Sequence, residues 1–159
     1  MTHTLVVLLA LLIGVVAGLR ALTALAAVSW ATGLHWINLD GTWASWVGQP
    51  VPLTVLTVLA IVELAADKHP KIPSRTTAVA FSGRIILGAV AGAAIGTAWN
   101  YTWSALGSGV IGAVLGTMGG LQARVRLAAR AGHDLPVALA EDAIAVLGGF
   151  AIAAVTAAL

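Results

Sequence analysis

Apolar residues run through the chain in five long stretches, parted by short polar or aromatic breaks. A helix needs roughly 20 apolar residues to cross about 30 Å of hydrocarbon. Stretches 4–28, 51–67, 77–98, 106–126 and 136–158 each come near that length. The pattern predicts an all-α polytopic transmembrane bundle of about five spans, one domain over 1–159. Pro50 and Pro52 suit the first turn of the second span. Asp134 is placed to cap the fifth, with Pro136 in its first turn. His69-Pro70 to Pro73 reads as a stiff turn between spans two and three.

Composition points the same way. The chain is 60% hydrophobic and 9% charged, with a mean hydropathy of +1.00. Soluble domains carry about 25% charged residues, so the bilayer is the natural solvent and first partner. The absence of cysteine excludes disulfides, thiolate metal sites and a cysteine nucleophile. The first stretch has no Lys or Arg ahead of its apolar run, and Arg20 interrupts it. It reads as a spanning helix rather than a cleaved leader.

Charge sets an orientation. Lys68, Lys71 and Arg75 lie between spans two and three, and Arg124, Arg126 and Arg130 at or after the end of span four. Loops 29–50 and 99–105 contain neither Lys nor Arg. The positive-inside rule then puts the N-terminus in the cytoplasm and the C-terminus outside, in the plasma (inner) membrane. Trp30, Trp36, Trp43, Trp46, Trp99 and Trp103 all fall in the two outer loops, where an interfacial aromatic belt belongs. Segment 29–50 reads as an interfacial lid or amphipathic hairpin. The cations account for the net charge of +2 and the pI near 9.7 without nucleic acid. They also form a face suited to anionic lipid headgroups.

Small residues recur every fourth position: Gly14 and Gly18; Gly88, Gly92 and Gly96; Gly112, Gly116 and Gly120. Such stripes let helices approach closely. They predict a tight bundle and a homo-oligomer. "GVVAGLRALTALAA" at 14–27 also echoes "GTMGGLQARVRLAA" at 116–129, and "VELAAD" at 62–67 echoes "VALAED" at 137–142. Either this is an inverted-topology duplication, as in many transporters, or it is chance similarity in an Ala/Gly/Leu-rich chain.

The candidate chemistry is a charged layer within the spans. Arg20, Glu63, Arg84, Glu141 and Asp142 lie inside apolar stretches, where each costs at least about 2.5–3.5 kcal/mol unless paired. At about 1.5 Å per residue, Glu63, Arg84, Gln122, Glu141 and Asp142 share one level in the inner leaflet. Arg20 is expected higher. An Arg84 fork between Glu63 and either Glu141 or Asp142 is the simplest satisfied arrangement, since a planar guanidinium can serve two carboxylates. Asp67 sits one turn beyond Glu63, at the rim. Arg20 has two outlets: an acid of a neighbouring helix or subunit, or outward snorkelling toward Asp40. The layer reads equally as an ion or proton site or as an ion-pair network that locks the helices.

Other motifs carry little. His3, His35, His69 and His133 are scattered without ligand spacing, so neither metal nor cofactor is expected. Ser74 and Ser82 have no His/Asp companions, so no catalytic residues and no enzyme are expected.

"GLRA" (18–21), "ELAADKHP" (63–70), Gly83-Arg84 and "LAED" (139–142) together resemble the pattern of the domain of unknown function 4126 family. The resemblance covers most of the chain and implies a small bacterial-type integral membrane protein. It marks Arg20, Glu63, Asp67, Lys68, Arg84, Glu141 and Asp142 as defining residues, and implies no established activity. Two positions depart from that pattern: Ile85 stands where a Pro often follows the third-helix Arg, and Ala138 where a Ser is expected. The expected function is a small transporter or channel for an ion or solute. The alternative is an accessory or lipid-organising protein bound to a larger membrane complex.

Overall fold

The computed structural model of the chain describes residues 1–66 and 77–158. Its elements are α1 (His3–Leu19), α2 (Ala21–Gly33), a 3-10 turn (Ser45–Gly48), α3 (Pro50–Ala66), α4 (Ala78–Thr97), α5 (Thr102–Ala131) and α6 (Asp134–Ala158). Among the described residues the fold is all-α. Three helices, α4, α5 and α6, are long and apolar enough to cross a membrane. The 17-residue α3 is apolar but shorter, about 25 Å long. Asp67, Lys68, Lys71, Arg75 and the His69 to Pro73 turn lie outside the described residues.

The first predicted span, 4–28, is not one helix. It breaks at Arg20, whose backbone is extended (φ −143°, ψ 99°), and the chain turns back. A Cβ on Gly149 of α6 would stand 3.2 Å from Ala27 Cβ and 3.7 Å from Val16 Cγ1. In one straight helix residues 16 and 27 would be about 16 Å apart, so α1 and α2 form a hairpin. α3 then runs antiparallel to α2: Gly33 meets Leu53 at one end, and Glu63 meets Ala21, Leu22 and Thr23 at the other.

His3 fixes which ends coincide. Its Nε2 lies 3.0 Å from Ser104 Oγ, and its ring packs edge-on against Tyr101 at 4.7 Å. Trp43 Nε1 donates to Thr97 Oγ1 at 3.0 Å. The chain's start, the loop after α2 and the α4–α5 turn therefore share one end, which also carries the tryptophan loops. α6 climbs from Asp142 at the break to Gly149 beside Val16, so it too ends there. This corrects the expected opposite placement of the termini. It also corrects the duplication: α1 and α5 run in the same direction, with Leu11 against Gly112 and Val15 against Gly116. Strings 14–27 and 116–129 are thus not related by inversion.

α1 is the central helix. Val6, Ala10, Ile13 and Ala17, one face at helical spacing, are fully buried. It packs with α4 and α5 at backbone contact. A Cβ on Gly92 would stand 2.7 Å from Ala105 O, and one on Gly18 would stand 2.5 Å from Thr117 N. Gly14, Gly18, Gly88, Gly92, Gly96, Gly112 and Gly116 are used up in these contacts, whereas Gly120 lines a cleft. The outer face of α3, with Val51, Val55, Val58 and Val62, is exposed.

Candidate functional site: a broken helix held by opposite charges

Interrupting a helix orphans carbonyls on one side and amides on the other. Within hydrocarbon each unsatisfied group costs several kcal/mol. Here side chains from neighbouring helices replace the missing bonds, and their signs match the helix ends.

The α2 amides meet a carboxylate. Ala21 N donates to Glu63 Oε1 at 2.8 Å. Leu22 N and Thr23 N donate to Oε2 at 3.0 and 3.3 Å. The α1 carbonyls meet a guanidinium. Arg84 Nη1 donates to Gly18 O at 2.8 Å and to Leu19 O at 2.7 Å. Thr117 Oγ1 of α5 adds a 3.2 Å bond to Gly18 O. A helix N-terminus is positive and a C-terminus negative, so α3 supplies the anion and α4 the cation that each end favours.

Arg20 itself is fully buried and donates from Nε to Asp142 Oδ1 of α6 at 2.7 Å. It therefore lies within the layer and not above it, turned away from the exposed Asp40. Next to Asp142, Glu141 points elsewhere: its Oε2 lies 3.8 Å from Arg124 Nη1. Arg124 also forks onto Asp134, with Nε–Oδ1 at 2.9 Å and Nη2–Oδ2 at 2.6 Å. Arg20, Glu63, Arg84 and Asp142 come together around the break, with Arg84 close enough to Glu63 for their charges to interact, and they also engage main-chain groups. Arg84 clamps main-chain carbonyls, and the carboxylate of Asp142 goes to Arg20. Gln122 is exposed on α5, roughly 7 Å beyond Thr117, outside the layer. Arg126 and Arg130 are exposed at the far end of α5.

Thr117 and Thr23 were not singled out by sequence reasoning. Thr117 sits inside a glycine stripe, and a polar residue in such a stripe was the available signal. A cleft of about 260 Å3 runs between α5 and α6, lined by Gly120, Ala123, Arg124, Glu141 and Leu19. It reaches from the arginine end to the residue before the break.

The family model for the domain of unknown function (DUF4126) matches residues 7–159, nearly the whole chain. No curated protein and no solved structure matches it.

Proposed function

The chain belongs to the domain of unknown function 4126 family, a membership that brings no activity with it, and we propose that the protein is a small non-enzymatic membrane transporter. The α1–α2 hairpin is its solute-handling element. The observation that carries this reading is the interrupted helix with complementary fixed charges on its two inner ends. Discontinuous helices whose half-ends face a central polar site recur in secondary transporters. The cleft ending at Leu19 supplies an approach from the arginine end.

In this reading α3, α4, α5 and α6 cross the plasma membrane. The hairpin enters from the tryptophan side and turns round inside the bilayer. Arg124, Arg126 and Arg130 mark the cytoplasmic face. Both ends of the chain then face outward. A homo-oligomer completes the permeation path, and it uses faces other than Gly14, Gly18, Gly88, Gly92, Gly96, Gly112 and Gly116, which are packed within one chain.

The test is flux into proteoliposomes, followed with pH- and potential-sensitive dyes after addition of sodium, potassium, chloride or butyrate salts. Flux above empty liposomes that collapses at least about tenfold in Glu63→Gln supports transport, since one charge-assisted bond is worth that factor. Flux no greater than in empty liposomes for every salt overturns it.

A second reading rests on the broad apolar face of α3. That face suits a membrane-protein partner, with the charged layer acting as a lock. Failure to co-purify a stoichiometric partner in mild detergent counts against it.

A further inference from the structure

Glu63 sits on the first amides of α2 in the way a bound carboxylate would, both oxygens engaged by main-chain N–H groups. The site is built for an anion and holds one from its own chain. Thr23, on the same turn, supplies an independent sign of a ligand. In an uninterrupted helix its hydroxyl would reach back four residues to Leu19 O. Across the break that carbonyl belongs to another helix and receives Arg84. Thr23 is 4% exposed, and its Oγ1 has no hydrogen-bond partner among the described residues.

Thr23 also lines a cleft of about 180 Å3 between α2, α3 and α6. Leu64, next to Glu63 in sequence, lines it too. The other polar groups there are occupied: Trp30 Nε1 donates to Thr57 Oγ1, which donates to Leu53 O. The remaining walls are apolar, among them Ala60, Ile61, Val146 and Phe150. Thr23 joins the two features: its amide donates to the Glu63 carboxylate, and its side chain, with an unpartnered hydroxyl, lines the apolar slot.

We propose that this turn binds a short-chain monocarboxylate in exchange for the Glu63 side chain. The ligand's carboxylate takes the amides of Ala21, Leu22 and Thr23 and the Thr23 hydroxyl, and its alkyl tail fills the cleft. Arg84, across the break, remains as counter-charge. The inference rests on the transport reading by naming the substrate class of the same site.

The experiment is equilibrium binding of sodium butyrate to the full chain in lipid nanodiscs, with sodium chloride, butan-1-ol and sodium decanoate as comparators. Saturable butyrate binding is expected, stronger than for any comparator. Thr23→Val, nearly isosteric and safe for folding, is expected to weaken it about tenfold, the worth of one charge-assisted bond. Glu63→Gln, where it folds, removes the competing charge and is expected to tighten it by a similar factor. Absence of saturable binding in the parent and Glu63→Gln overturns the proposal, as does binding indifferent to Thr23→Val. Equal binding of chloride or butanol, or tighter binding of decanoate, overturns the substrate class. Butyrate binding without flux leaves this inference standing and removes the transport reading. Flux of another solute without butyrate binding does the reverse.

Discussion

Residues 14–27 and 116–129 agree at seven of 14 positions, yet one turns back on itself and the other runs straight. Gly14, Gly18, Leu19 and Ala21 correspond to Gly116, Gly120, Leu121 and Ala123. The first copy breaks one residue after Leu19, while α5 continues unbroken to Ala131. Local propensity cannot separate them. What differs is the surroundings. At the break, Glu63, Arg84 and Asp142 stand ready to replace main-chain hydrogen bonds and to pair Arg20. At the matching place in α5, Gln122 is exposed. The hairpin is made by helices that come later in the chain.

The contrast is sharpest if the replacement bonds are removed. Glu63→Ala strips acceptors from three amides, each worth about 1–3 kcal/mol when buried. A loss of about 5 kcal/mol, or failure to fold, is expected in denaturant titrations of the purified protein in mixed micelles. A loss below about 1 kcal/mol would mean that the break does not depend on its carboxylate. Asp142→Asn keeps an acceptor for Arg20 but leaves its charge buried without that partner. About 3 kcal/mol is expected in the same titration, the lower range for a broken buried pair. Overpacking tests the shared core. Gly92→Val forces α4 off α5 and is expected to cost about 1–3 kcal/mol. Equal stability to the parent would show that the helices can part there freely. The smallest effect belongs to Gln122→Arg, which makes the second string resemble the first more closely. Within about 0.5 kcal/mol of the parent is expected, with α5 still straight by distances between spin labels at its ends. Bending of α5 would show that the string itself carries the break.

Much of this was legible in the sequence and part was not, for one physical reason. Helix positions from Pro50 onward follow from apolar run lengths and from prolines and Asp134 at helix starts. The charged layer was legible because ionisable residues in apolar runs need partners. The break was not, because "GVVAGLRALTALAA" contains no proline and reads as continuous helix. The missing turn also reversed the placement of the chain's start. That Arg84 also clamps Gly18 O and Leu19 O was not legible, since a sequence displays side chains and hides orphaned carbonyls. Main-chain groups become charged-group partners only where a helix stops.

The break has a consequence for how the protein is made. Chains are synthesised N-terminus first, so residues 4–28 leave the ribosome as an apolar run with Arg20 as its one charge, long enough to cross the bilayer alone. Glu63, Arg84 and Asp142 are translated 43, 64 and 122 residues after Arg20. Until they arrive, nothing in the nascent chain rewards a bend. The Arg20 to Asp142 clasp closes only after α6 has begun to emerge.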